Sequence, residues 1–265
     1  MIRLAVRAAL IAATVVAFSG VAYADFLDRF GPPSRVELSD IRANPRAYLE
    51  QVVQFELRFN AYGDVYNPVF TRFVPERYVN FSGWGEEQLL YKQEEFVDPF
   101  PFLFMDKSHP EIKTLNKLTR FEPVLVTAYI HDYFQEMVWI DVVAVQQNDA
   151  GVLNERILIH ITRGMEHFRQ RRWDDCLREF KDALLYPLPH AYAAQVQKDV
   201  ALVYYYKKGP AFLEAAEIEL QRAVVLNPDH IYLRRLYARV QEQNRLAIEE
   251  GRRVKTRHGE EGTGQ

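Results

Sequence analysis

Seven histidines, one cysteine and a few adjacent acid pairs are the side chains with which this chain of 265 residues could do chemistry. His109, His131, His160, His167, His190, His230 and His258 include no H-E-x-x-H or related metal spacing. His160 and His167 share a helix face at i, i+7 beside Glu166, a spacing that packing or surface histidines explain as well. Asp174-Asp175 and Glu249-Glu250 are neighbours on helical stretches, where adjacent side chains diverge and cannot share a substrate. Cys176 would need a nearby cation and exposure to act as a nucleophile. There is no G-x-S-x-G, no Walker loop and no G-x-G-x-x-G. The expectation is therefore a protein that is not an enzyme, with no catalytic residue, cofactor or metal ligand. One polar set remains: Arg72, Arg77, Asn80 and Ser82 near Trp84 could contact a small ligand or peptide, or the arginines could be paired to nearby acids.

The elements that carry these residues begin with an export signal. Two arginines precede an apolar run of 11 residues from Ala8 to Phe18, and Ala22-Tyr23-Ala24 follows. This n-region, h-region and small-x-small site predict a bacterial signal peptide over 1–24, cleaved after Ala24, and a periplasmic or secreted protein. The run is too short to span a bilayer, which needs about 20 apolar residues. Composition adds that the chain is globular: charged residues make up 26%, the hydrophobic set 48%, and the net charge is −3. A lone cysteine excludes a disulfide framework.

Charge and periodicity divide the remainder. Residues 25–36 read as a linker. From Glu37 to Asn148 ten basic and 17 acidic residues give a net of −7, and apolar residues alternate, as at Val53, Phe55, Leu57 and Phe59. Further extended stretches cover about 70–84, 100–105, 124–131 and 137–145. Ser108-His109-Pro110-Glu111 reads as a capping box opening a short helix. That β-β-β-α-β-β order resembles an OB-fold, which implies a small antiparallel β-barrel over 37–148. Such barrels often bind single strands through aromatics in a basic groove, but a net of −7 argues against nucleic acid.

Residues 149–248 read as helical, and 249–265 as a polar, disordered tail. In Thr162–Leu185 the skeleton is Gly164, Phe168, Trp173, Cys176, Phe180 and Ala183, and 40 residues later Leu213, Ala216, Leu220 and Ala223 repeat part of it. This skeleton resembles the tetratricopeptide repeat, in which small residues sit where paired helices touch. The resemblance makes Cys176 a small core residue. The whole chain then reads as an α+β multidomain protein, a barrel followed by an α-helical array of tetratricopeptide-type hairpins.

The resemblance also implies a groove on the first helix of each pair, here Met165, Phe168, Arg169, Lys198, Leu202, Tyr205 and Tyr206. Tyr204 to Tyr206 lie on one helix at 100° intervals, so not all can face the core; Tyr205 and Tyr206 either line the groove or pack inward. The function expected is an exported scaffold that binds a peptide or partner protein in this groove. The alternative is a periplasmic binder of a small molecule or envelope polysaccharide on the barrel face at Arg72, Arg77, Asn80 and Trp84, with the repeats for docking.

Overall fold

The computed structural model describes residues 31–69, 71–134, 137–207 and 209–261, with only the backbone at 132, 134, 210 and 252–261. The signal-peptide reading with its cleavage site, and the extended position expected at residue 70, lie outside the described residues. The described residues form two compact units, one from 31–88 with 93–149 and the other from Leu89–Lys92 with 150–261.

In the first unit the chain runs β1 (Ser34–Arg35), α1 (Leu38–Ala43), a 3-10 turn, β2 (Val52–Gly63), β3 (Tyr78–Gly85), α2 (Gln93–Phe96), β4 (Phe100–Asp106), α3 (Ile112–Leu115), β5 (Pro123–Phe134) and β6 (Met137–Gln147). Alternation explains β2: Val53, Phe55, Leu57 and Phe59 are buried, whereas Gln54 and Glu56 between them are only half-buried. The buried set packs with Phe81, Leu103, Met105, Val126, Ile140 and Val142 from the other strands into one core.

The expectation of a small antiparallel barrel is corrected. A six-stranded sheet of mixed sense stands in its place, in the order β1-β2-β3-β4-β6-β5 with a further β2–β5 pairing. β1 runs parallel to β2, and β4 runs parallel to β6 with Leu103 opposite Ile140 and Phe104 opposite Asp141. Alternating hydrophobicity reports which face of a strand is buried; it carries no information on the sense of the neighbour. β1 also lies inside the stretch expected to be a linker, held by Ser34 opposite Val53 and Arg35 opposite Gln54. Residues 71–77, expected to be extended, form a loop and turn. The capping box does not close either. Ser108 donates to Asp106 at 2.7 Å, and the Glu111 carboxylate accepts the Val145 N–H at 2.5 Å.

The second unit contains α4 (Glu155–Arg169), α5 (Trp173–Ala183), α6 (His190–Lys207), α7 (Pro210–Leu226) and α8 (Ile231–Glu261). Asn154 caps α4 by accepting the Ile157 N–H at 3.0 Å. The turn before it needs glycine: Gly151 has φ +82°, and a Cβ there would meet the Pro189 nitrogen at 2.6 Å. α4 and α5 cross closely because Gly164 brings no side chain to Phe180, and the Cys176 thiol donates to the Gly164 carbonyl at 3.2 Å.

The tetratricopeptide array is likewise corrected. Five helices of 15, 11, 18, 17 and 31 residues follow the strands in sequence and do not make that array. The small-aromatic-small spacing from Gly164 to Ala183 specifies one close crossing, and that crossing forms; it does not impose equal repetition. α8 also continues through Glu261, past the point where a polar tail was expected to begin. Among the described residues no helix is long and apolar enough to cross a membrane.

Candidate functional site

The close α4–α5 crossing leaves three large rings at the end of the hairpin. Phe168 lies in the last turn of α4, Trp173 opens α5 and Tyr206 lies in the last turn of α6. Trp173 and Tyr206 stack with centroids 5.9 Å apart and planes 14° apart. Phe168 meets both edge-on, at 5.5 Å from Trp173 and 5.9 Å from Tyr206. Such offset and edge contacts are the favourable aromatic arrangements. An ion pair fastens the same corner, with Lys207 Nζ 2.7 Å from Asp174 Oδ1. Tyr206 nevertheless stays 49% exposed.

The groove residues read from the sequence divide at this point. Phe168 and Tyr206 come together, and Arg169, next to Phe168 in the chain, is exposed and makes no ion pair among the described residues. Met165 and Leu202 are half-buried. Tyr205 and Tyr204 pack against a cluster of Ala201, Ala216, Leu220 and Val240, so of the adjacent tyrosines only Tyr206 is open. Lys198 is committed to Asp199 at 3.1 Å. Asp199 itself is buried, and burial raises its pKa against the opposing pull of Lys198 and Gln195. Trp173 was legible only as a packing residue; nothing in its spacing marks it as part of an open surface.

Near the crossing, Cys176 is fully buried, and burial first, with Asp199 second, pushes its thiol up to about 12. A thiol of that kind is a packing group. His160 contacts Glu179 at 2.8 Å. Among the described residues no three His, Cys, Asp or Glu side chains are grouped to hold a metal.

The sheet unit gathers a different set. The loop before β3 lays Phe73 on Phe104, stacked at 4.5 Å and 5°, and Phe104 stacks in turn on Trp139 at 5.6 Å. All three are buried, yet Trp139 Nε1 has no hydrogen-bond partner. Two residues along β6 on the same face, Asp141 lies 3.6 Å from Arg72 and 3.4 Å from His131. Burial holds the Asp141 carboxyl at about 6, with Arg72 pulling the other way. Arg77 pairs instead with Asp106 at 2.7 Å.

Asn80 and Trp84 are not open to a ligand. Asn80 is 8% exposed; it accepts the Val65 N–H and donates to the carbonyls of Pro101 and Leu103. Trp84 is fully buried, donates to the Phe96 carbonyl at 3.0 Å and stacks on Phe121. Asp141 and Trp139 were missed by sequence reasoning, and His131 was read only as one of seven histidines without a metal spacing. The signal available was the alternation of β6, which puts 139 and 141 on the face opposite Val138, Ile140 and Val142.

Compared with protein-family models and with curated proteins, the chain matches none.

Proposed function

We propose that the protein acts by binding, taking up a partner protein or peptide on the helical unit at Phe168, Trp173 and Tyr206, with Arg169 as the flanking cation. The observation that carries this reading is Tyr206: its ring is about half exposed and yet already stacked on Trp173 at 5.9 Å. A tyrosine ordered before contact presents a large flat area and loses little entropy on binding. Truncating such an anchor costs about 2 kcal/mol or more of binding energy. The leader-like sequence at the N-terminus supports an exported site of action.

The test places a photo-crosslinking phenylalanine analogue at Tyr206 and, separately, makes Tyr206→Ala. One defined partner crosslinked at position 206, whose capture in a pull-down weakens in the alanine variant at unchanged melting temperature, supports the surface. A variant that captures the same partner as well as wild type refutes it.

A second reading rests on the sheet unit, where Arg72, His131 and Asp141 cluster beside the unpartnered indole N–H of Trp139. Buried donors normally have partners. A small polar ligand or saccharide unit accepting from Trp139 would supply one. Tryptophan fluorescence titrated with envelope saccharides, in wild type and Trp139→Phe, separates this reading from the first.

A further inference from the structure

The α6–α7 hairpin contains an opening that the aromatic surface does not use. Its volume is about 350 Å³, and it is lined by Gln197 of α6 and by Gln221, Arg222, Val225 and Leu226 of α7. That volume is in the range of small-molecule sites. Three chemistries meet there. Val225, 74% exposed, and the half-buried Leu226 give an apolar wall. Gln197 Oε1 is buried and has no hydrogen-bond partner, whereas buried acceptors in folded proteins normally have one. Arg222 gives Nη1 to Glu219 at 2.9 Å, makes no other ion pair among the described residues, and has a side chain 60% exposed, which leaves donors for a ligand.

We propose that this opening is a binding site for a small amphipathic carboxylate bearing an N–H donor. The N–H group donates to Gln197 Oε1, the alkyl chain lies on Val225 and Leu226, and the carboxylate pairs with Arg222. An N-acylated amino acid carries all three groups, with the N–H between the chain and the carboxylate. Its amide joins the chain to the acid, so the donor reaches the buried oxygen while the charge stays at the exposed guanidinium. Neither Tyr206 nor Trp173 lines the opening, so the site stands independently of the partner surface.

The full chain is titrated calorimetrically with N-octanoylglycine. Saturable binding of one molecule per chain is expected, and Arg222→Gln weakens it about tenfold, the loss of one charge-assisted hydrogen bond. N-methyloctanamide, which lacks the carboxylate, is weaker by the same factor. Glu219→Gln keeps full binding, which separates the loss of ligand contact from the loss of the Arg222–Glu219 pair. Gln197→Leu also weakens binding but leaves the melting temperature of the free protein unchanged or higher, because its oxygen has no partner to lose. The proposal is overturned by the absence of saturable binding up to the probe's solubility limit. Equal binding by Arg222→Gln and wild type overturns it as well, and so does a lower melting temperature for Gln197→Leu.

Discussion

Gly164→Ala adds one methyl group at the tightest point of the helical unit. The new Cβ would stand 2.4 Å from Phe180 Cε1 and 2.5 Å from Cδ1. Carbon atoms rest at about 3.5–4.0 Å, so ring or helix must retreat by about 1 Å or more. Phe180 is fully buried, so its ring cannot swing out to solvent without opening the crossing. On an open helix the same change would stabilise by about 1 kcal/mol. Overpacking of a filled core costs about 1–3 kcal/mol, occasionally more, and a clash this short falls toward the upper end. The expected net loss is about 1–2 kcal/mol, or a melting point lower by about 2–8 °C for a chain of this size. Thermal unfolding of the intact chain, followed by circular dichroism at the helical band, measures it. Phe180→Leu in the same background should recover part of the loss, since the two positions share one contact. A Gly164→Ala variant more stable than wild type would refute the close-crossing argument, and with it the reason why Phe168 and Trp173 meet.

Three further outcomes are expected. Cys176→Ala should stay within about 1 kcal/mol of wild type, as a small-for-small exchange in a core; native Cys176 should resist alkylation at pH 8 until the chain unfolds, since its thiol is pushed up to about 12. Asp141 keeps its proton up to about 6 in the folded state but releases it near the ordinary carboxyl value when unfolded. Its contribution is therefore complete below about pH 4 and is lost as pH rises through 6, a change of about 3 kcal/mol at most. The difference in unfolding free energy between wild type and Asp141→Asn should drift over that window; a flat difference contradicts the assignment. Arg171 has φ +57° between α4 and α5, so Arg171→Gly should raise stability by up to about 1 kcal/mol in a urea titration.

Local periodicity was readable where one burying face dominates. The alternation of Val53, Phe55, Leu57 and Phe59 marks β2, and the helix Glu155–Arg169 forms inside the stretch that reads as helical. The parallel β4–β6 pairing was not readable, because it depends on where a strand returns after a crossover and not on its own residues. Repeat-like spacing misled in a similar way: Gly164, Cys176 and Phe180 encode a contact between two helices, from which an array does not follow. Of the surface residues, Tyr206 could be placed beside its neighbours on α6 by angle alone, but its stacking on Trp173 depends on how three helix ends meet. Asn80 and Trp84 looked available because a polar or aromatic side chain on a strand carries no mark of the backbone carbonyls that will claim it.

The second unit is not one continuous stretch of chain, since Leu89–Lys92 belongs to it along with 150–261. The Leu90 N–H donates to the Tyr192 hydroxyl at 2.7 Å across a separation of 102 residues, and Tyr91 meets the same ring edge-on at 6.1 Å. Closing a loop of that length carries an entropic cost that grows with the logarithm of its size, and it must be met before the contact gives anything back. During synthesis, Leu90 waits through the production of the next hundred residues before its acceptor exists. The helical unit therefore cannot be completed by its own contiguous segment: a chain beginning at residue 150 would contain every helix from α4 to α8 and still leave the Tyr192 hydroxyl without this donor.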